Sequence, residues 1–345
     1  MRTAARAAAT STNPRGWWSR MAPVLVLLVT APLVAEFLLG DVTLVSLPAL
    51  AIFIPLYGGG AVLIREVVRR KGGGWPAIVV LAAAYGVIGE GLATQSLFNP
   101  NYAHQHLLST GYVSALGIAI PWTLYVLSLH VIWSICTPIA LVECMFPTRR
   151  TEPWLGMRGL IIIAVLYVLG VVAAAITTWV SFPYIAPPSR LIGAAMVAVA
   201  LIIAGLLLIR RGRPERPAAE ASARSAPAAW LVGIVSAIAA SILLIAPRLP
   251  IATWGKVTVF FTIEVAAIVT ITLWSRRTGW GDRQILALAA GALFAYAWHA
   301  FIGRPAFDST SLVITRISNV VFAALAAAAV WIAARRTAQG ADRTP

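Results

Sequence analysis

Six ionisable residues sit inside long apolar stretches of this chain: Glu36, Glu90, His130, Glu264, His299 and Arg316. A charge at the centre of a bilayer costs about 2.5–3.5 kcal/mol on insertion scales, so each one asks for a partner or a purpose. Gln95, Ser134 and Asn319 are polar neighbours in the same stretches. Helical spacing groups these residues. Gly86, Glu90, Ala93 and Leu97 share one face, and Thr123, His130, Ser134 and Thr137 form a stripe on another. Tyr296 pairs in the same way with His299, and Arg316 with Asn319. A desolvated carboxylate at Glu90 suits a general base, and a neutral His130 or His299 in a membrane helix needs a partner for its N–H. By type, Glu36, Glu90, His130 and His299 are also acceptable Zn²⁺ ligands. No HExxH pattern or close His pair supports a metal, and neither metal nor cofactor is expected.

Plainer readings stand beside these. Glu36 and Glu264 could pair with Arg316 as structural glue. Glu66 and Glu143 fall at helix ends beside Arg residues and are expected to be solvated. His104 and His106 lie in a polar loop, where solvation is the simpler expectation. Cys136 and Cys144 lie about 12 Å apart along one helix and cannot bridge each other. They read as small apolar fillers.

Membrane helices must hold the polar residues in place. Of 345 residues, 60% are hydrophobic and only 11% charged, against roughly 25% charged in a soluble domain. That excludes a soluble enzyme, a disordered chain and a disulfide scaffold. The formal charge of +15 sits in short clusters between apolar runs, which points to topology control rather than nucleic-acid binding. Ten segments are long enough to span a bilayer, near 21–40, 43–65, 75–97, 120–146, 159–181, 190–210, 228–247, 253–275, 284–303 and 311–334. The fold class is all-α, a polytopic bundle of about ten transmembrane helices.

Arg and Lys set the orientation. With the N-terminus inside, Arg190, Arg248, Lys256 and Arg304 fall on outside segments and Arg316 within the last span, while every other Lys and Arg falls inside. Both termini are therefore expected in the cytoplasm. The plasma (inner) membrane of a bacterium is the expected location. The chain divides into a cytoplasmic segment 1–20, a six-span bundle 21–210, a linker 211–227, a four-span bundle 228–334 and a tail 335–345. The linker is Arg-, Pro-, Ala- and Ser-rich and reads as flexible. Residues 98–119 form the longest outside loop. Gly58-Gly59-Gly60 could break the second span.

Chain direction converts position into depth. Glu36, Glu90 and His299 fall near the outer ends of outward-running spans, and His130, Glu264 and Arg316 a few turns below the outer ends of inward-running ones. All six are expected in the outer half, suggesting one polar cavity open to the outside.

The stretch AAAYGVIGEGLATQSLFNPNY, residues 82–102, resembles the glutamate-motif region of the CPBP group, the CAAX-protease and bacteriocin-processing intramembrane glutamate proteases. In that resemblance Glu90 stands for the second Glu of the motif, His130 for the first His and His299 for the later one. Gly89 stands where the first Glu would be, Thr94 (or Gln95 nearby) at the Arg position, Val126 at the Phe before His130, and Gly303 at the later Asn or Asp. The resemblance implies metal-free hydrolysis. Glu90 would activate water, His130 would orient it, and His299 with Arg316 or Asn319 would stabilise the oxyanion. Glu36, Gln95, Ser134 and Glu264 would support the site. The substrate would be a peptide or lipid-linked molecule. The same segment is also similar to that of uncharacterised prokaryotic multi-pass membrane proteins.

A carrier is the alternative from a different class. Ionisable groups in an outward cavity could bind a proton or a charged solute, with Glu90 and Glu264 as coupling groups. No five-plus-five repeat is visible to support it. A non-enzymatic membrane component is the third reading. No P-loop, dinucleotide fingerprint, haem motif or nucleic-acid module is present, so the expected partners are membrane lipids and substrate, not nucleotides or nucleic acid.

Overall fold

The computed structural model describes residues 17–210, 222–307 and 309–341. The N-terminal segment up to residue 16, linker residues 211–221 and the tail beyond 341 lie outside the described residues. Nine helices are long and apolar enough to cross a membrane among those residues. They are α1 (Met21–Leu38), α2 (Leu44–Arg69), α3 (Trp75–Ala93), α4 (Ile120–Met145), α5 (Met157–Ser181), α6 (Pro188–Arg210), α7 (Ala229–Arg248), α8 (Thr253–Trp274) and α10 (Leu312–Ala341). The remaining segment expected to span is the 18-residue helix α9 (Asp282–His299). Asp282 and Arg283 open it and His299 closes it, so its ends dilute its apolarity although at about 27 Å it nearly matches the hydrocarbon core. The chain is an all-α polytopic membrane protein.

Helices α1 and α4 are central. Between α1, α2, α3, α4 and α5 lies one apolar core built on Leu27, Ala61, Ile78, Ile135 and Ile139. A second core joins α1 and α4 to α7, α9 and α10 through Phe37, Trp133, Leu244, Tyr296 and Phe322. Trp133 stacks on Tyr296 with 4.3 Å between ring centroids and 5° between planes, and its indole N–H donates to the Ala292 carbonyl at 2.8 Å. Helix α8 buries little within the chain, as expected for a lipid-facing helix.

Small residues set the closest approaches, as in other membrane bundles. A Cβ on Gly58 would stand 2.2 Å from the Leu28 carbonyl oxygen, and one on Gly60 would stand 2.5 Å from the Tyr85 ring. The triple glycine therefore does not break α2; it lets α1, α3 and α5 close on it. Across α7 and α9, a Cβ on Gly291 would meet the Gly233 carbonyl oxygen at 2.5 Å.

Four of the helices carry π-helical stretches: Leu33–Leu38 in α1, Ile54–Gly58 in α2, Ile88–Ala93 in α3 and His130–Cys136 in α4. Proline explains three of them, since it withholds the N–H that an upstream carbonyl needs and the helix re-registers around the gap. Pro32 precedes the first, Pro55 lies in the second and Pro138 follows the fourth. The third lies among Gly86, Gly89 and Gly91.

Short strands occur outside the spans. In the longest loop, Tyr112–Val113 (β1) pairs antiparallel with Ile118–Ala119 (β2). At the end of the linker, Ser222–Ser225 (β3) pairs parallel with Arg277–Thr278 (β4).

Candidate functional site

Each π-helical stretch delivers one polar side chain to a common place. Glu36 comes from α1, Tyr57 from α2, Glu90 from α3 and His130 from α4. Tyr57 lies near the middle of the 26-residue α2, and Ser134 near the middle of the 26-residue α4. Glu36 and Glu90 lie near the ends of α1 and α3.

The central contact is between Glu90 Oε1 and His130 Nε2, 2.8 Å apart and buried. An ionised carboxylate only accepts, so Nε2 then carries the proton and Nδ1 accepts from the Ser134 hydroxyl at 3.1 Å. Glu90 Oε2 accepts from Ser96 Oγ and, at 3.1 Å, from Thr94 Oγ1. The Trp122 indole N–H reaches Ser96 Oγ at 3.4 Å. Gly86 permits this geometry, because a Cβ there would stand 3.2 Å from the His130 Cβ. Gly89 faces open space instead.

Glu36 joins through Tyr57, whose hydroxyl donates to Glu36 Oε1. The Tyr57 ring lies nearly parallel to the His130 imidazole, with 6.2 Å between centroids and 22° between planes. Tyr85 meets the same imidazole edge-on at 5.6 Å. A buried carboxylate, a phenol, an imidazole, a second carboxylate and a serine hydroxyl are thus held in sequence. Tyr57 carries no signal in the sequence beyond an aromatic in an apolar run, and only its position against Glu36 reveals it.

The other candidate residues lie in separate places. Glu264 accepts from Ser128 Oγ. His299 Nε2 accepts from Arg248 at 2.7 Å, which leaves the proton on Nδ1, a buried atom with no hydrogen-bond partner. Arg316 donates to the Phe301 carbonyl, and Asn319 to the Ala300 carbonyl at 2.8 Å. Both cap the carbonyls at the end of α9, which a helix leaves unpaired. Gln95 Oε1 accepts from the Ala186 N–H at 2.8 Å and ties the chain after α3 to the α5–α6 connection. The six ionisable residues therefore do not share one hydrogen-bonded cluster, and Arg316 pairs with neither Glu36 nor Glu264. No three His, Cys, Asp or Glu side chains come together to hold a metal ion among the described residues.

Asp41 lies between the two groups, beyond the end of α1. Burial first, then the charge of Glu36, pushes its carboxyl up to about 8, against the opposing pull of Arg248. Tyr102, in the loop after α3, is held well above its usual value by burial, with the charges of Glu90, Glu36 and Asp41 adding to the effect.

At the opposite end of α2 is a network that the sequence disguised. Glu66 and Glu143, expected to be solvated, are 0% and 2% exposed. Arg65 bonds Glu66 at 2.6 Å and Glu143 at 3.1 Å, and Arg69 bonds Glu143 at 2.7 Å. The Trp154 and Leu155 N–H groups donate to Glu66 at 2.9–3.0 Å, and the Arg65 guanidinium lies 3.5 Å from the Trp154 ring centroid. Arg65 also donates to the Arg149 and Arg150 carbonyls at 3.2 and 2.7 Å. Flanking Arg residues read as solvated neighbours in sequence, but here the 146–155 loop folds over them and excludes water.

No curated protein and no solved structure matches the chain. A family model described as "Uncharacterized membrane protein family" matches residues 25–339, nearly the whole chain and every residue of the Glu90–His130 cluster, and the chain belongs to that family.

Proposed function

We propose that this chain is a proton-coupled membrane carrier whose proton-handling centre is the Glu90–His130 pair, with Glu36 and Tyr57 as the adjoining relay. The observation that carries this reading is the hydrogen bonding of the cluster. Glu90–His130–Ser134 and Glu36–Tyr57 each consist of groups that can both hold and release a proton. Uptake of one proton from water at Glu90 would turn the chain of bonds around without moving a heavy atom, the property wanted in an intramembrane relay. Glu90 Oε1–H then donates to His130 Nε2, the imidazole proton sits on Nδ1, and the Ser134 hydroxyl accepts from it while keeping its own proton. Mid-helix positions of Tyr57 and Ser134 suit a carrier site near the midplane. The orientation with both termini in the cytoplasm of a bacterial cell, and the six-plus-four division of spans, belong to the same proposal and rest on the Arg distribution and the linker composition.

A hydrolase would use the same pair, and the 2.8 Å Glu90–His130 contact is the observation in its favour. It would lack the oxyanion donors proposed for it, because His299, Arg316 and Asn319 are engaged elsewhere.

The test is proton uptake by the purified protein in nanodiscs as pH is lowered from 9 to 4, with an infrared difference spectrum for the carboxyl C=O stretch. The expected result is uptake with a buried carboxyl band that is lost in Glu90→Gln and kept in Glu264→Gln. An identical band in wild type and Glu90→Gln would sink the reading. Cleavage of a membrane-embedded peptide by wild type, lost in Glu90→Gln, would favour the hydrolase.

A further inference from the structure

Backbone strain is concentrated in one segment. Gln95, Ala103, His104 and His106 have φ of 54°, 50°, 59° and 49°, and no other non-glycine residue has a positive φ among the described residues. Side-chain-bearing residues enter this left-handed region at a cost, because Cβ crowds the following carbonyl. Such strain persists only where surrounding contacts hold it in place.

The contacts that hold this segment run directly to Glu90. Ser96 Oγ donates to Glu90 Oε2, and the Leu97 N–H donates to the Glu90 carbonyl at 3.2 Å. Thr94 is the other donor to Oε2. Ser96 and Asn99 are buried, whereas His104 and His106 are exposed. The segment thus runs from the buried carboxylate to the surface. An aromatic seam closes its far side. Tyr102 packs against Phe182 at 5.5 Å and Phe307 at 6.4 Å, and His104 meets Phe182 at 5.6 Å. Phe182 belongs to the α5–α6 connection and Phe307 to the α9–α10 connection, so three connections meet over the site.

We infer that residues 95–106 form a lid over the Glu90–His130 pair, latched by the Glu90 carboxylate and plugged by Tyr102, which admits water and protons from the membrane face opposite the Arg65 network. A charged Oε2 accepts from both Ser96 and Thr94. A proton on Glu90 removes the charge that makes those bonds strong, and the strained backbone then favours release. The titratable groups facing Glu90 are Glu36 from α1, Tyr57 from α2, Tyr85 from α3, His130 from α4 and Tyr102 from the lid itself. Control by the Glu90 proton rests on the carrier reading above, while the latch and the plug stand on geometry alone.

Hydrogen–deuterium exchange of the full chain in nanodiscs tests it. Ser96→Ala, Glu90→Gln and Phe182→Ala are compared with wild type, and the helical stretch 289–295 of α9 serves as internal reference. Exchange across 95–106 is expected to rise tenfold or more in all three variants with the reference unchanged. In wild type, corrected for intrinsic rates, it is expected to rise as pH falls. Exchange within twofold of wild type in both Ser96→Ala and Glu90→Gln would overturn the latch. Phe182→Ala touches neither carboxylate, so an unchanged lid there would overturn the plug even if Glu90→Gln fails to fold. Failure of the carrier reading shows differently, as a missing carboxyl band in a wild type whose lid still opens in Ser96→Ala.

Discussion

Tyr57 links the two carboxylates of the site: its hydroxyl donates to Glu36 while its ring lies over the imidazole that bonds Glu90. Tyr57→Phe keeps the ring and removes only that donor, leaving a buried Glu36 without its hydrogen bond. A bond to a charged group contributes about 1.5–3 kcal/mol. Thermal unfolding in detergent should show a loss of that order, and an unchanged Tm would mean that Glu36 does not depend on Tyr57.

His130→Ala should cost more than Glu90→Gln. Removing the imidazole takes a donor from the buried Glu90 carboxylate, and a hydrogen bond to a charged group contributes about 1.5–3 kcal/mol. The Gln amide in Glu90→Gln can still donate to His130, and it accepts from Ser96 only as a neutral, weaker acceptor. Equal losses in paired unfolding scans would contradict the geometry of the pair.

Glu143→Gln should be among the most damaging single changes, because Arg65 and Arg69 both rely on that carboxylate. Two buried guanidinium groups would lose their shared counter-charge, again about 3–5 kcal/mol. Glu264→Gln, whose half-buried carboxylate bonds the Ser128 hydroxyl from a helix that buries little else, should stay within about 1 kcal/mol. Expression yield and Tm of the two variants side by side decide the matter.

Gly58→Ala and Gly89→Ala should part company. An alanine Cβ at 58 would collide with the Leu28 backbone, whereas nothing lies within 4 Å of one at 89. The first should cost about 1–3 kcal/mol or more as overpacking, and the second about 0.5 kcal/mol at most. Folded yield by size-exclusion chromatography is the readout.

Asp41 should make stability depend on pH. Its carboxyl is raised to about 8 from an ordinary value near 3.8, so the folded chain holds a proton that the unfolded chain has released. That contribution is complete below about 4 and is lost as pH rises through about 8. Asp41→Asn should flatten the fall in Tm between these limits, and an Asp41→Asn curve parallel to wild type would show that Asp41 titrates normally.

Composition and apolar run lengths are enough to assign the class of this protein and the rough places of its helices, because a bilayer demands about 20 apolar residues per span whatever they pack against. Intramembrane charges were legible for the same reason: Glu36, Glu90 and His130 stand out against an apolar background. Which of them meet was decided only by tertiary structure. Spacing orders residues on one helix but carries no register between helices, and the π-helical stretches shift that register by a residue at each critical place. Tyr57 joined the site and His299, Arg316 and Asn319 left it on that account. Glu66 and Glu143 became buried because a loop folded over a charged helix end, and burial by a distant segment leaves no trace in the residues it covers.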